Sequence, residues 1–475
     1  MANRLPERMA DSFPDKKRIA DTHKRLKSAG VKYITSCWID LLGLPKTKPV
    51  PLAEFEAICT GKGPQFAVHS VSMVPELGPS DSDQIPIPDL DSLVICPWNK
   101  EVAWVFADLW WEDKPYNVCP RSALKRTIQN AADAGYKVMA GVEPEFIVMR
   151  YTADGRPVKA IDDDPEPGSG GLRPRRQAFG YDVEYANDSI GFLGEMMDIL
   201  DELGWQIHDV VTEGAYSQFE LDFHYTDMLT MADRLTFLRV LLKQVAKKHG
   251  MFVTFMPKPT TGDWRSGAHI NHSIQSIKKP GVNLLGDSKH GWSDITYKVL
   301  GGVMKHAGAL TAIACSTVNS YKGLVARVGG MEGGTVTWAP THVTYGPNNR
   351  SAMLRLPQSR FAIENRAADM CMNAYLAMAM TTAASVEGIT KKLDAGKPFD
   401  LDLYSMTEDQ IEKKGIQRLP SNLLEAIRAF DKDPLAKEVL GPTMHKSFSR
   451  YKHDEWHRYG TTITDWEVNE YLRFY

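Results

Sequence analysis

The stretch GVEPEF, from Gly141 to Phe146, places two glutamates two positions apart in an otherwise apolar segment. Alternate residues of a β-strand point to the same side, so the charges of Glu143 and Glu145 would repel each other at close range. A divalent cation is the simplest way to neutralise such a pair. For an isolated pair, a strand end whose acids face water is the ordinary alternative. The metal interpretation therefore depends on further ligands elsewhere in the chain.

Residues of the types that bind metals and phosphates recur in short motifs along the rest of the sequence. In chain order these are EGAYSQFE from Glu213, MPKP from Met256, SGAHINH from Ser266, NSYK from Asn319, NNRSAMLRLP from Asn348 and RFAIENR from Arg360. The series resembles the glutamine synthetase superfamily, ATP-dependent ligases that join an amine to the γ-carboxyl group of glutamate. The resemblance runs from about Lys32 to the C-terminus, and the shared order makes it more specific than any single motif.

The resemblance implies an α+β fold with two domains. A β-grasp N-terminal domain is expected over residues 15–112, and a catalytic domain, whose antiparallel sheet forms a funnel with helices, over 113–475. Family members form homo-oligomers, either hexamers or dodecamers, with active sites between subunits. Asp40, in WIDLLG, matches the catalytic aspartate that one subunit contributes to the amine site of the next.

Hydrophobic periodicity predicts several individual elements. Residues 16–30 form a polar helical pattern, and KYITSCWID from Lys32 alternates like a half-buried strand. The segment MADRLTFLRVLLKQVAKKHG from Met231 has apolar residues at helical spacing and ends at a glycine. Between Asp154 and Phe179 the chain is rich in Gly, Pro and charge, which predicts a surface loop.

The resemblance also assigns ligands for two metal ions, and the nature of the donors supports it. Carboxylates with a single imidazole suit Mg²⁺ or Mn²⁺ rather than a thiolate-bound metal, and two or three ions are expected per site. The first ion, which contacts the substrate carboxylate, is expected to bind Glu145, Glu213 and Glu220. The second ion, which lies against the phosphates of the co-substrate ATP, is expected to bind Glu143, His269 and Glu364.

Other residues match the family positions that hold the substrates. Phosphoryl transfer spreads negative charge over oxygens, so it needs preorganised cations more than covalent chemistry. The arginines expected to hold phosphate and glutamate are Arg350, which is also assigned a catalytic role, Arg355 and Arg366. The nucleotide is expected to contact Asn271, Ser273 and Arg355. Gly267 is expected at the substrate.

Composition excludes several other functions. The net charge of −3 gives no reason to expect a nucleic-acid partner. The N-terminal residues lack the apolar core of a signal peptide, and no apolar run approaches the ~20 residues that cross a bilayer. We therefore expect a cytoplasmic protein without a membrane partner. The six cysteines show no CxxC pairing and are expected to be reduced packing residues.

The segment after NSYK departs from the pattern of ordinary glutamine synthetases. Those enzymes have an arginine that grips the glutamate α-carboxylate and a short flap, PGYEAP, whose glutamate closes over ammonium. This chain reads NSYKGLVARVGGMEGGTVTWAP, with Gly323 at the arginine position and Glu332 as the only acid of the flap. Glu332 is therefore a catalytic candidate. Either Arg327 reaches the acid substrate or the substrate is held differently.

The segment TWAPTHVTYGPNNR looks like the branch of γ-glutamylmethylamide synthetases and related ligases. Such enzymes act on amines larger than ammonia, including alkylamines and aromatic amines. Trp264, Trp338 and Met331 would be natural walls for an apolar amine, although tryptophans in a chain that has 11 of them usually serve packing. Alternatives are an ammonia-using glutamine synthetase, a non-catalytic ring protein of this family, and a ligase for an acid other than glutamate.

Overall fold

A computed structural model describes residues 5–160, 180–328 and 335–475 of the chain. It contains helices and two large sheets. The strands of one sheet precede Val118 in the sequence, and the strands of the other follow it. Within these described ranges, none of the helices is long and apolar enough to cross a membrane.

The N-terminal sheet is a mixed sheet with the strand order β2-β1-β7-β5-β4. Its strands are β1 (Tyr33–Ile39), β2 (Pro45–Thr47), β3 (Val50–Pro51), β4 (Phe66–Ala67), β5 (Asp83–Pro88), β6 (Val94–Ile95), β7 (Val102–Trp111) and β8 (Lys114–Pro115), with helices α1 (Lys16–Ser28), α2 (Phe55–Cys59) and α3 (His69–Ser72). The predicted N-terminal helix is confirmed as α1, and the predicted strand from Lys32 is confirmed as β1. The predicted domain boundary at 112/113 stays a prediction, because β8 still pairs with β7.

The catalytic sheet follows the order β11-β12-β9-β15-β23-β22-β21, with further strands paired at its margins. Its strands and two small ribbons are β9 (Tyr136–Tyr151), β10 (Pro157–Lys159), β11 (Ile207–Thr212), β12 (Gln218–Phe223), β13 (Thr226–Asp227), β14 (Phe252–Thr254), β15 (Ala268–Ser276), β16 (Lys279–Asn283), β17 (Gly286–Asp287), β18 (Gly291–Trp292), β19 (Arg327–Val328), β20 (Thr335–Val336), β21 (Tyr345–Pro347), β22 (Leu354–Leu356) and β23 (Ile363–Asn365). The expected α+β fold class is confirmed. The expected antiparallel pairing holds along this sheet except at its edge, where β21 pairs with β22 in parallel.

This part of the chain also contains helices. They are α4 (Pro120–Asp133), α5 (Val183–Glu202), α6 (Met228–Lys248), α7 (Asp294–Lys305), α8 (Ala307–Ala314), α9 (Ser320–Gly323), α10 (Ala374–Thr390), α11 (Glu408–Glu412), α12 (Leu423–Lys432), α13 (Pro434–Leu440), α14 (Pro442–Gly460) and α15 (Asp465–Tyr471). The helix predicted from Met231 is α6, which begins earlier because the Asp227 side chain accepts hydrogen bonds from the first-turn N–H groups. In the predicted loop 154–179, β10 pairs with β9, and residues 161–179 lie outside the described ranges.

Hydrogen bonds from Arg239 of α6 and from Asn373 connect the turn after β1 with the segment before α10. Arg239 donates to the carbonyl oxygens of Gly43, Met370 and Met372. Asn373 donates to the carbonyl of Leu41 at 3.1 Å and also caps α10. A buried guanidinium that satisfies several carbonyl groups fixes both partners. The two sheets are therefore joined by directed hydrogen bonds as well as by apolar packing.

Candidate active site

Strand register brings four of the predicted metal ligands to one face of the catalytic sheet. Glu145 of β9 lies opposite Glu220 of β12, and Glu143 of β9 lies opposite His269 of β15. Directly opposed residues of an antiparallel pair project from the same face, and so do residues two positions apart on one strand. The sequence pattern ExE thus becomes a cluster because β9 is the central strand between β12 and β15.

A first group of carboxylates consists of Glu145, Glu213 and Glu220, whose ligand oxygens lie within 4.8 Å of one another. Glu213 reaches the strands because its N–H donates to the carbonyl of Gln218 and closes the β11–β12 hairpin. Burial, followed by the charge of Glu145, raises the pKa of Glu213 to about 8. Burial and the neighbouring glutamates also raise the pKa of Glu220 well above its usual value. The donors suit a hard divalent cation, which would relieve this repulsion.

A second group consists of Glu143, Glu220 and His269, again with ligand atoms within 4.8 Å of one another. Glu220 therefore belongs to both groups. His269 also approaches the first group, since its Nε2 lies 3.3 Å from a carboxylate oxygen of Glu145. Burial opposes ionisation of Glu145, but His269 and the N–H of Gly267 outweigh it and lower its pKa.

Glu364, the third expected ligand of the second metal, is engaged by arginines. Its carboxylate accepts hydrogen bonds from Arg355 at 2.7 Å and Arg366 at 2.5 Å, while Arg360 lies 3.8 Å away. Burial raises the pKa of Glu364, but the neighbouring cations, led by Arg366, outweigh it and bring it to about 2. The structure places Glu364 on the same sheet face, opposite Asn271, but outside both ligand groups. Its role as a ligand stays a prediction.

A cavity of about 390 Å³ opens beside Glu143, and both predicted nucleotide contacts on β15, Asn271 and Ser273, line it. Arg360, also on its wall, donates to Glu143 at 2.6 Å and to the Asn271 side-chain oxygen at 2.8 Å. Arg360 was not among the predicted site residues. Arg360 is the first residue of the motif RFAIENR, but no local pattern distinguishes it from a surface arginine.

Arg366 holds the backbone around Arg350 and Trp338 in place by hydrogen bonds. Its guanidinium donates to the backbone carbonyls of Arg350 at 3.2 Å and Trp338 at 3.4 Å. The guanidinium of Arg350 lies over the Trp338 ring, 5.9 Å from the centroid. Burial, with the charges of Arg355 and Arg366, lowers the pKa of Arg350. Positive charge is therefore concentrated on this side of the carboxylate groups, which favours the binding of an anion.

The two predicted tryptophans form an aromatic wall next to Glu213. The ring of Trp264 lies so close to Gly214 that a Cβ atom there would be 2.4 Å from it. The rings of Trp264 and Trp338 are stacked, with centroids 6.4 Å apart and 25° between their planes. Trp338 is 47 % exposed, so it is not a packing residue of the core.

Gly267 lies directly behind the first carboxylate group. Its N–H donates to Oε2 of Glu145 at 2.9 Å, and a Cβ atom at this position would lie 2.9 Å from the His269 ring. A side chain here would displace the ring of one predicted ligand and crowd the carboxylate of the other. The same Glu145 oxygen accepts a 2.8 Å hydrogen bond from Gln218, a residue that the sequence analysis did not single out.

The space beside Gly323 is filled by Arg265. A Cβ atom on Gly323 would lie 2.7 Å from the Cβ of Arg265 and within 3 Å of the next two carbons of its side chain. The guanidinium of Arg265 is buried and donates to the carbonyls of Ala367 at 2.6 Å and Ala368 at 2.9 Å. Gly323 is buried as well. Gly323 therefore packs against Arg265, whose guanidinium holds the backbone of Ala367 and Ala368. Arg265 is a further residue that was not predicted from the sequence.

Asp40, one of the two predicted catalytic acids, is not part of these groups. Asp40 is buried at the end of β1, where it accepts hydrogen bonds from the N–H groups of Leu42 at 3.0 Å and Leu44 at 2.8 Å. Burial raises its pKa. Its expected role concerns a neighbouring subunit and stays a prediction. Glu332 and Met331 lie outside the described residues.

Residues 117–471 match the glutamine synthetase catalytic domain family. The chain belongs to this family, whose members are ATP-dependent ligases that use divalent metals, and the carboxylate groups described above are suited to such ions. Family substrates are glutamate, ATP and ammonia or another amine.

Similar proteins include both a glutamate–methylamine ligase and glutamine synthetases. The chain is 36 % identical to a glutamate–methylamine ligase of Methyloversatilis universalis, over 96 % of this chain and 99 % of that protein. It is 37 % identical to a glutamine synthetase of Rhizobium leguminosarum bv. phaseoli, over 94 % and 98 %. A solved structure described as a GmaS/ADP complex superimposes with a TM-score of 0.84 at 32 % identity, covering 95 % of this chain and 99 % of the other.

Proposed function

We propose that this protein uses ATP to join the γ-carboxyl group of glutamate to an organic amine, an alkylamine or an aromatic amine, through a γ-glutamyl phosphate. The observation that carries the proposal is the aromatic wall of Trp264 and Trp338 beside Glu213. An ammonium ion has no apolar group to bury against the two rings, whereas the substituent of an organic amine does. The similarity to a glutamate–methylamine ligase supports the same class of acceptor.

The residues divide the proposed reaction between them. Glu145, Glu213 and Glu220 would hold one Mg²⁺ or Mn²⁺ ion, and Glu143, Glu220 and His269 a second, with Glu364 as a further candidate. Bound ions would neutralise the charge that develops as the carboxylate attacks the terminal phosphate of ATP.

Arginines and the cavity beside Glu143 would hold the substrates. Arg350 and Arg366 would orient glutamate and the transferred phosphate, because they concentrate positive charge next to the carboxylate groups. Asn271 and Ser273 would contact ATP from the wall of the cavity, and Arg355 would do so from the neighbouring strand.

The amine displaces phosphate in the second step and must lose a proton, which requires a nearby carboxylate. Asp40 of an adjacent subunit, Glu213 and Glu332 are the candidates we propose. Use of Asp40 would require the hexamer or dodecamer that the family resemblance implies, with active sites between subunits.

A second candidate function is synthesis of glutamine from ammonia. The specific observation in its favour is the 37 % identity to a glutamine synthetase over nearly the whole chain. The two candidates differ only in the amine. They are therefore separated by amine preference at fixed glutamate and ATP.

The test is Mg²⁺- and ATP-dependent phosphate release with glutamate and a panel of amines: ammonia, methylamine, isopropylamine, ethanolamine, putrescine and aniline. A reaction without amine is the blank, and mass spectrometry identifies the products. We expect a γ-glutamyl amide of an organic amine to form fastest. Preference for ammonia would replace the proposal by the second candidate, and no turnover with any amine would contradict both.

Trp338→Ala tests whether the aromatic wall selects the amine. We expect KM for the preferred organic amine to rise about tenfold, equivalent to about 1.4 kcal/mol of lost contact, and KM for ATP to change less, through the lost contact of the ring with Arg350. Trp466→Ala is the matched control, because Trp466 is a 63 % exposed tryptophan of the C-terminal helix α15. Equal effects of the two substitutions would show that Trp338 does not contact the amine.

A further inference from the structure

Gln218 connects all three carboxylates of the first group. Its backbone carbonyl accepts the N–H of Glu213 at 2.9 Å and closes the hairpin that also carries Glu220. Its side-chain Nε2 donates to Oε2 of Glu145 on the neighbouring strand at 2.8 Å. Gln218 is 1 % exposed. One residue thus fixes the spacing of ligands that come from a hairpin and from a separate strand.

The orientation of the Gln218 amide is determined by its neighbours. Besides Glu145, Nε2 faces the carbonyl of Arg265 at 3.0 Å and Oγ of Ser266 at 3.3 Å, while Oε1 accepts the N–H of Ala215 at 3.2 Å. A flipped amide would set its oxygen against a carboxylate and a carbonyl, and its NH₂ group against an N–H. The side chain can therefore only act as a donor towards Glu145.

This contact separates the two oxygens of Glu145. Oε2 is held by Gln218 and by the N–H of Gly267. Oε1 faces His269, whose Nε2 lies 3.3 Å away. With Oε2 directed into the protein by two donors, Oε1 is the oxygen left to bind a cation together with Glu213 and Glu220.

We propose that Gln218 is a positioning residue that presents Glu145 to the metal through one oxygen and holds it in register with the Glu213–Glu220 hairpin. The inference rests on the proposed function in that it requires the carboxylate group to bind a divalent ion. Residues that orient a metal ligand from behind typically change metal affinity by about 10- to 100-fold when replaced.

The chain offers a matched control in Gln84 of β5. Gln84 is also fully buried, but it lies in the N-terminal sheet, and neither polar atom of its side chain has a hydrogen-bond partner within the described part of the chain. Gln84→Met and Gln218→Met make the same chemical change in two buried environments. Only the second removes a donor from a predicted ligand.

The experiment measures Mn²⁺ binding by calorimetry and by electron paramagnetic resonance in the full-length protein without substrates. We expect Gln218→Met to bind the tightest Mn²⁺ ion about 10- to 100-fold more weakly and Gln84→Met to bind it like the wild type. Saturating Mn²⁺ should restore most of the turnover of Gln218→Met, which a collapsed fold would not allow. Circular dichroism of the metal-free variants checks the fold.

Gln218→Asn keeps the test decisive if Gln218→Met does not fold. Asparagine retains a polar amide but is one methylene shorter, so its nitrogen withdraws by about 1.5 Å and can no longer reach Glu145. The same weakening is expected. Wild-type Mn²⁺ affinity in either folded variant would overturn the positioning role and leave the proposed function intact, whereas a wild-type protein that binds no Mn²⁺ would overturn both.

Discussion

Two clusters of carboxylates differ in whether the chain itself supplies cations to pair with them. We call them the paired cluster, at the seam between the two sheets, and the open cluster, on the face of the catalytic sheet. The paired cluster consists of Arg121, Lys125, Asp89, Asp108 and Asp233. The open cluster consists of Glu145, Glu213 and Glu220. The first has its own cations, whereas among the described residues no lysine or arginine forms an ion pair with Glu213 or Glu220.

The pKa values follow this difference. Burial opposes ionisation of Asp89 and Asp108, but Arg121 and Lys125 outweigh it and lower both pKa values. Asp233 is the exception, since burial keeps its pKa raised despite Arg121. In the open cluster burial and mutual repulsion raise the pKa of Glu213 and Glu220, whereas His269 and the N–H of Gly267 lower the pKa of Glu145. Buried charges that are paired within the chain serve structure, and those that are not point to a ligand from outside.

Breaking the open cluster should have the largest effect on activity. Glu145→Ala removes a predicted metal ligand, so we expect phosphate release to fall by at least about a thousandfold with every amine. The melting temperature of the metal-free protein should fall, because the buried Gln218 amide and the N–H of Gly267 lose the carboxylate to which they both donate. Turnover close to that of the wild type would show that the metal assignment is wrong.

Breaking the paired cluster should instead remove stability. Arg121→Met leaves buried aspartates without their main cation, and we expect the free energy of unfolding to fall by about 3–5 kcal/mol, measured by urea denaturation. Arg458→Met is the control, because Arg458 pairs with Asp454 on the surface and both side chains are 59 % exposed. That change should cost less than about 1 kcal/mol. Equal losses of unfolding free energy in the two variants would show that the paired cluster contributes no more to stability than a surface ion pair.

Gly323→Arg tests whether position 323 supports the site or faces the substrate. The new side chain would overlap the stem of Arg265, so we expect a loss of about 1–3 kcal/mol of stability and a lower kcat with all amines. Gly78→Arg is the control, since a Cβ atom at Gly78 meets nothing within 4 Å. Wild-type stability combined with a shift in preference towards ammonia would mean that position 323 contacts the substrate.

The pH dependence of stability should have opposite signs in the two clusters. The raised pKa of Glu213, about 8, favours the folded state below the unfolded pKa, and this contribution is lost as the pH rises from about 4.5 to 8. The lowered pKa of Asp89 favours the folded state above the unfolded value, and this contribution is lost in acid.

With a chelator present, we therefore expect the melting temperature to fall between pH 5 and 8, and Mn²⁺ to remove most of that fall. Differential scanning fluorimetry across this range is the measurement, with Glu213→Gln as the comparison. If the metal-free wild type becomes more stable from pH 5 to 8, or if Glu213→Gln shows the same slope, the assignment to Glu213 fails.

The fold class was predicted from the family resemblance that the order of the motifs carries, and the shared face of Glu143 and Glu145 was predicted from the period-2 spacing in GVEPEF. The sequence did not predict the engagement of Glu364 by Arg355 and Arg366, which depends on the pairing of β22 with β23. Gln218 and Arg265 were missed because their roles arise from contacts with distant segments. A buried glutamine inside a strand has no local pattern that separates it from ordinary packing.

The packing of Arg265 against Gly323 also limits which substitutions evolution can introduce at these two positions. An arginine at position 323 collides with the stem of Arg265, while removal of Arg265 alone releases the carbonyls of Ala367 and Ala368. Either change by itself is harmful, so a lineage would have to exchange both residues together or pass through a weakened intermediate. The pair therefore resists single substitutions that would place an arginine at position 323.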